Sequence, residues 1–435
     1  MQPSKIHRGG RAILAASFGN LLEWYDFAVY AAFAIYIGAN FFPHDSAAAG
    51  LVNAFLVFGL GFVIRPLGAI LIGIYGDRAG RKAALTAPIL VMACGTLIIA
   101  VAPTYAAIGL GAPLVLLTGR LLQGFSAGGE IGSAAAFLVE HAPPSRKALY
   151  AAWLQASMGM SNILGALVAF TITSFLPHSE IVRWAWRVPF VIGLAIVPVG
   201  LYLRRTLEET PAFRAEVSVE RGPRQPLRGV FRDHAPELAA GFGISILWAA
   251  AVYVLLIFMP VFLQKTLGFT PAQAFGASLA ENVVFVIGCF VFGAWADRIG
   301  HWRIQAYAAL VLLISLLPLF AWLDHSRSVG VLIAVVSCCG LMAASYTGVA
   351  PTTLSALFPT RVRATGVSLA YNAAFTLFGG FAPAILATFI ASSTSAGSAY
   401  APAWYVMLAA VPALIALRFG AGRRDVPAPL ALGSG

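Results

Sequence analysis

Glu23 and Asp26 stand three residues apart, with Asn20 three residues earlier, in an otherwise apolar stretch. On a helix this spacing puts them on neighbouring parts of one face. Two carboxylates in a dry setting repel one another and are poorly solvated, and both effects favour a bound or shared proton. The pair is therefore a candidate for proton coupling. The alternative is an ion pair to a buried arginine that locks two helices together. Arg65 and Arg120 are the arginines in apolar surroundings, and Gln123 follows Arg120 by three residues. A planar guanidinium can donate two parallel hydrogen bonds to a carboxylate. Each arginine is thus a candidate for gripping an acidic solute, or for neutralising a buried acid. Glu130 and Glu281 complete the set of buried ionisable residues. Glu130 suits a proton acceptor nearer one membrane face, or a bond to a neighbouring helix. Glu281, beside Asn282, suits a substrate contact. Ionisable residues inside a bilayer are costly and are functional candidates by default.

All seven histidines fall in or beside loops, so a carboxylate, rather than an imidazole, is expected to relay any coupled proton. Tyr25, Gln155, Asn162, Tyr346 and Asn372, with Tyr253 and Tyr371, are softer candidates for substrate contact; the plainer expectation for them is bonding between helices. Gly124, Gly128 and Gly132 form a stripe suited to close helix packing. Cys94, Cys289, Cys338 and Cys339 sit in apolar runs without metal-ligand spacing and read as packing residues.

These residues need a membrane to make sense. The chain is 60% hydrophobic and 10% charged, whereas a soluble domain carries about 25% charged residues. Apolar runs fall at roughly 12–41, 50–75, 84–103, 108–140, 148–177 and 185–203, then at 238–264, 272–296, 304–323, 329–351, 364–392 and 402–420. Runs of about 20 residues span a bilayer as helices, because no other open structure satisfies its backbone in lipid. The first run follows Lys5, Arg8 and Arg11; it is too long for a signal-peptide core and is read as an uncleaved first span. The reading is an all-α membrane protein of twelve transmembrane helices: an N-terminal bundle over 1–204, a cytoplasmic linker over 205–237 and a C-terminal bundle over 238–435.

Charge sets the orientation. Of the 28 Lys and Arg, Arg65 and Arg120 lie within spans, and Arg183, Arg187, Lys265 and Arg327 lie in the loops of one face. The rest line the other face, which the positive-inside rule makes cytoplasmic, both termini included. The net charge of +11 is thereby explained without nucleic acid. Arg65 precedes Asp77 by 12 residues, which places it ~18 Å into the membrane at ~1.5 Å per residue. The same count puts Glu281 ~24 Å from Asp297.

Gly73-Ile74-Tyr75-Gly76-Asp77-Arg78-Ala79-Gly80-Arg81-Lys82 lies between the second and third runs. Gly293-Ala294-Trp295-Ala296-Asp297-Arg298-Ile299-Gly300 lies between the eighth and ninth. Equivalent loops half a chain apart mark two pseudo-symmetric six-helix bundles, with the substrate site expected near mid-membrane between them. The first loop resembles the loop motif of the major facilitator superfamily. Further stretches resemble its metabolite–proton symporters: Gly19–Phe27, Arg65-Pro66-Leu67-Gly68-Ala69, Gly119–Glu130, Trp184–Phe190 and Leu207–Phe213. The fourth-run segment is most similar to citrate and tricarballylate carriers. The resemblance implies the major facilitator fold, a role for Arg120 in proton coupling, and a cytoplasmic gate formed by Asp77, Arg78 and Arg81 with Asp297 and Arg298. In the second loop His301 and Trp302 stand where basic residues are usual.

No nucleotide-binding loop or catalytic nucleophile constellation is visible. The expectation is a gradient-driven transporter with no cofactor and no metal, acting as a monomer in a bacterial-type inner membrane. Its expected partners are a proton and a small organic anion, citrate-like in class. Two transport rivals stand beside this. An exporter is disfavoured because the fifth run, Gly159-Met160-Ser161-Asn162-Ile163-Leu164-Gly165, lacks the Pro of the antiporters it would resemble. A zwitterion or osmolyte symporter is disfavoured because the osmosensing ones carry a C-terminal coiled coil, and no heptads follow the last run. A non-transporting sensor is disfavoured by the lack of an appended soluble domain.

Overall fold

The computed structural model describes residues 5–42, 46–79, 81–128, 130–205, 227–359, 362–392 and 396–422. Twelve helical rods cross it, and no strand occurs among the described residues. In the first half α1 runs over Lys5–Ala32 and, past a break at Phe33, Ala34–Phe41. Then come α2 (Ala47–Val63 and Arg65–Ala79), α3 (Arg81–Val101), α4 (Gly111–Ala127 and Glu130–His141), α5 (Lys147–Phe175) and α6 (Val188–Arg205). In the second half α7 spans Ala235–Lys265, with a π-helical stretch at Ala251–Phe258. It is followed by α8 (Pro271–Ile299), α9 (His301–Ser326) and α10 (Val329–Thr347 and Ala350–Leu357). The last two are α11 (Arg363–Ser392, π-helical at Phe375–Gly380) and α12 (Ala401–Gly422). Among the described residues, nine stretches are individually long and apolar enough to cross a membrane. α1, α3 and α4 complete the twelve. α1 is broken at Phe33, α4 is split after Ala127, and α3 contributes the apolar segment Thr86–Val101.

Local chemistry sets several of the ends. Thr270 caps α8: its hydroxyl accepts from the Gln273 N–H at 3.2 Å, and the Gln273 side chain accepts from the Thr270 N–H at 3.0 Å. Pro271 fits the first turn, where no N–H is needed. Gly300, at φ 105°, ends α8 and lets α9 start at once. These devices fix where α8 begins and ends, and so the depth of Glu281 and Asp297.

The rods are not equivalent. The apolar window of α7 is 100% buried, against 33% for those of α6 and α9. α7 is therefore a central rod, and α6 and α9 present apolar side chains such as Val191, Tyr307 and Ile314 outward, as lipid contact requires. α1 is the counterpart of α7 in the first half; Trp24 and Tyr253 meet at 5.8 Å between ring centroids. α5 packs along α8, and α2 against α11, which joins the bundles.

The bundles touch at both ends. At the basic end Asp297 of α8 accepts from the Ala148 and Leu149 N–H groups of α5, at 2.8 and 3.0 Å. Arg363 of α11 pairs with Glu140 of α4 at 2.7 Å. Toward the opposite end the Thr376 hydroxyl donates to the Phe62 carbonyl at 3.1 Å, and Phe55 meets Phe258 at 5.6 Å. Contacts between the bundles are thus present at both ends among the described residues.

Candidate functional site

α2 and α4 cross at glycines, and that crossing builds the site. A methyl on Gly124 would sit 1.6 Å from the Gly61 carbonyl oxygen, and one on Gly128 would sit 1.9 Å from that of Arg65. Backbones this close bring Arg65 of α2 and Arg120 of α4 into one layer. Both guanidinium groups lie against the Phe27 ring of α1, at 5.1 and 4.9 Å from its centroid. Arg65 also faces Phe62 at 4.3 Å, and Arg120 faces Tyr30 and Phe58 at 4.5 and 4.6 Å. Ring faces carry negative charge and receive such cations. Gly132, the third member of the stripe, instead approaches α11: its methyl would be 2.5 Å from the Ala364 carbonyl oxygen.

The two arginines have different partners. Arg65 Nη2 donates to Glu23 Oε1 at 3.1 Å, and both residues are buried. Arg120 Nη1 donates to Gln123 Oε1 at 2.7 Å. Gln123 Nε2 passes on to Asp26 Oδ2 at 3.3 Å and to Thr96 Oγ1 at 3.0 Å. The Thr96 hydroxyl also contacts Asp26 Oδ2, and it lies 3.0 Å from the Met92 carbonyl oxygen. The neighbouring acids of α1 thus face different arginines. Among the described residues, Arg65 Nε and Arg120 Nε and Nη2 are buried without an acceptor. Donors remain on both cations for a further anionic group.

The second half closes the layer. Tyr253 of α7 lies beside Arg65, Glu23 and Arg120, and Tyr371 of α11 beside Arg65. Trp248 Nε1 donates to Gln155 Oε1 at 3.1 Å, bridging α7 and α5. The Tyr253 hydroxyl is buried with no hydrogen-bond partner among the described residues.

The remaining candidates divide. Asn20 ties α1 to α5 through the Leu154 carbonyl and Ser157 hydroxyl, both at 2.8 Å, and accepts from Trp24. Asn372 donates to the Gly128 carbonyl at 3.0 Å and so links the halves. Asn162 lines a cavity of about 20 Å³ with Ser278 and Phe275, outward of the arginine layer. Tyr25 points away from the layer and donates to the Pro189 carbonyl of α6 at 3.0 Å. Tyr346 donates to the Ile244 carbonyl inside the second half. Glu281 faces α10 rather than the arginines. Asp77 and Arg78 end α2, Arg81 opens α3 and Glu130 opens the second segment of α4; their side chains lie outside the described residues. Arg298 is exposed beside Asp297.

Thr96 and the ring cage of Phe27, Phe58, Phe62 and Tyr30 escape a reading by residue type. Threonine in an apolar helix ordinarily bonds its own preceding turn. Phenylalanines in a membrane helix ordinarily pack. One signal was available: Phe27 follows Glu23 by four residues and Asp26 by one, on the helix that carries both acids.

Two six-helix bundles, joined through central rods and enclosing a buried layer of paired charges, define a multi-pass membrane transporter. The sequence profile of the Major Facilitator Superfamily matches residues 16–383, and the chain belongs to that family. It is 35% identical over 408 residues to a citrate-proton symporter of Salmonella typhi, covering 93% of this chain and 92% of that one. It is 33% identical over 414 residues to a proline/betaine transporter of Salmonella typhimurium, covering 93% and 82%. A solved structure of a proton:xylose symporter superposes with a TM-score of 0.76 at 17% identity, covering 98% of this chain and 97% of that one.

Proposed function

We propose that the chain is a proton-coupled symporter that imports a small organic anion, citrate-like in class, by alternating access across a bacterial inner membrane. Both termini face the cytoplasm, and the working unit is one chain. The domain division follows: bundles over 1–204 and 238–435 rock about the central layer, with 205–237 as the linker. Asp297, with Arg298 and the Asp77, Arg78 and Arg81 loop, serves as the cytoplasmic gate.

The observation that carries this reading is the pairing of the two buried arginines. Arg65 rests on Glu23, and Arg120 reaches Asp26 through Gln123. With both acids ionised the layer is neutral and has no net attraction for an anion. A proton on Asp26 leaves one positive charge in excess, which suits a carboxylate. Proton and anion therefore favour one another, and the linkage is reciprocal. Thr96 makes the exchange cheap. Its single hydroxyl proton goes to Asp26 when that acid is ionised; when Asp26 is protonated, Asp26 donates to Thr96 and Thr96 donates to the Met92 carbonyl. No atom heavier than hydrogen need move. Arg65, Arg120 and Gln123 are the anion-binding residues, with Asn20, Gln155, Asn162 and Asn372 supporting them, and Glu130 passes the proton inward.

A second reading, a zwitterion symporter, draws support from the 33% identity to the proline/betaine transporter and from the aromatic lining of Trp24, Tyr253, Trp248 and Phe375, since aromatic faces suit an ammonium group. Thermal unfolding of the purified protein with citrate, tricarballylate, betaine or proline decides between them. A ligand at 100 times its dissociation constant stabilises by about 2.7 kcal/mol. Stabilisation by betaine or proline and not by the carboxylates would replace the first reading with the second.

A further inference from the structure

Among the described residues, Glu281 is the buried acid that the arginine layer does not use. It lies on α8, fully buried, and neither carboxylate oxygen has a hydrogen-bond partner among the described residues. Its helix presses on α10: a methyl on Gly340 would sit 2.6 Å from the Glu281 carbonyl oxygen and 3.0 Å from its Cγ. The titratable group facing it from α10 is the Cys339 thiol, with Cys338 behind that. No residue of α5, α7 or α9 gives either carboxylate oxygen a hydrogen bond among the described residues. An unpaired carboxylate taken out of water is strongly disfavoured unless it is neutralised. With no cation beside it among the described residues, the group that can neutralise it is a proton.

α8 also offers a route by which that proton can come and go. Ser278 lies three residues from Glu281, one helical turn along the same surface. Asn282 Nδ2 donates to the Ser278 carbonyl at 2.9 Å and lies 3.3 Å from its hydroxyl, and Asn282 Oδ1 is buried without a donor. Ser278 in turn lines the 20 Å³ cavity it shares with Asn162. Both side-chain atoms of Asn162 are likewise unpartnered among the described residues. The cavity is walled by Ala28 and Ala32 of α1, Ala166 of α5, Pro260 of α7 and Phe275 of α8, so it lies between the bundles. It holds about one water when they are closed and joins bulk water when they part. A line of polar side chains, Asn162, Ser278 and Asn282, thus runs from the seam between the halves toward an acid that has no partner among the described residues.

We propose that Glu281 is a second proton-binding site, in the C-terminal half and separate from Asp26 and the arginines, loaded through the Ser278–Asn162 seam when the outer side opens and emptied when the inner side opens, once per transport cycle. The carboxylate takes a proton from water as the seam opens, and the carboxylic acid returns it to water on the other side. The proposal rests on the proton-coupled reading above and changes its stoichiometry: two sites carry protons, one in each half. Glu281 then contributes charge compensation rather than a contact to the solute.

The test is Glu281→Gln, which keeps shape and neutrality but binds no proton. In proteoliposomes at zero membrane potential, steady-state accumulation of radiolabelled citrate is measured against an imposed pH gradient. Losing one proton per cycle lowers the accumulation ratio about tenfold for each pH unit of gradient, while citrate counterflow between equal pools persists. An unchanged dependence on the gradient overturns the proposal and leaves single-site coupling intact. If the wild type does not accumulate citrate, the substrate reading has failed separately, and infrared titration of the protein itself decides. A protonated-carboxyl band that is lost in Glu281→Gln, and that bleaches in the wild type as pH rises, supports the site. A band constant at every pH, or no band attributable to Glu281, overturns it. Should the Gln variant not fold, Glu281→Asp shifts that band instead of deleting it.

Discussion

Arg65 and Arg120 share one aromatic ring: their guanidinium groups lie 5.1 and 4.9 Å from the centroid of Phe27. Two like charges are held near one another because a turn of α1 supplies both a ring that each cation approaches and an acid that neutralises each. Phe27→Leu keeps an apolar side chain but removes the ring quadrupole. Each desolvated cation–π contact is worth up to about 2 kcal/mol. The variant should unfold at lower temperature, with a loss of about 1–3 kcal/mol after repacking. Differential scanning fluorimetry in detergent measures it, and wild-type stability would show that the ring merely fills space.

Arg65→Lys and Arg120→Lys keep the charge and lose the planar fork. At a carboxylate site each should weaken binding by about 1.5–3 kcal/mol, roughly 10- to 150-fold at about 1.4 kcal/mol per decade. Isothermal titration with citrate on well-folded protein gives the answer. Wild-type affinity in both variants would remove the anion-binding role and bring the zwitterion reading forward.

Asp26→Asn should separate coupling from binding. The amide can still bond to Thr96 and Gln123 but neither takes up nor releases a proton near neutral pH. Counterflow between equal pools should continue, while accumulation driven by a pH gradient should collapse, as it should in the wild type with a protonophore. An Asp26→Asn protein that still accumulates substrate normally would move the coupling role to Glu23 or Glu130.

Gly128→Ala should be among the most damaging small substitutions. Its methyl would meet the Arg65 carbonyl oxygen at 1.9 Å, so α2 and α4 must part. Overpacking of this kind costs typically 1–3 kcal/mol and occasionally more. Gly276→Ala, whose methyl would first meet Phe170 at 3.4 Å, is the matched control and should be close to neutral. Equal melting temperatures for the two would show that the α2–α4 crossing adjusts freely.

Asp297 and the Glu140–Arg363 pair both join the bundles at the basic end, with unequal weight. Asp297 accepts two backbone N–H groups at the start of α5; losing a helix cap costs about 0.5–2 kcal/mol. Glu140 is part-exposed, and such ion pairs are worth about 0–1 kcal/mol. Asp297→Ala should therefore shift the population toward the form open at that end more than Arg363→Gln does. Alkylation of a cysteine placed in the inner seam measures that opening. The reverse order would make the side-chain pair the main latch.

The elements were legible because lipid leaves the backbone no choice. A run of apolar residues that must satisfy its own hydrogen bonds becomes a helix, so α8 and α11 could be placed to within a few residues from hydropathy alone. The paired Asp77 and Asp297 loops disclosed the two-bundle plan, because duplication leaves equivalent residues at equivalent turns. The buried ionisable residues stood out because charge in a bilayer is expensive enough to be rare. Glu23, Asp26, Arg65 and Arg120 stand out in this way from residue type and hydropathy alone.

Partnership was not legible, because it depends on side-chain azimuth and on how helices cross. Glu23 and Asp26, neighbours on α1, turn toward different arginines; Tyr25, between them, turns to α6. Nothing local distinguishes Thr96 from any threonine bonding its own helix; it enters the proton network because α1 and α4 bring Asp26 and Gln123 to it. The sequence by itself determined that the chain crosses the membrane as helices and which charges it carries inside, since burial energies act residue by residue. The tertiary structure decided that Arg65 meets Glu23, that Arg120 reaches Asp26 through Gln123, and that Glu281 meets no cation among the described residues. Those contacts join residues far apart in the chain, and they are set by backbone approaches such as Gly128 on Arg65.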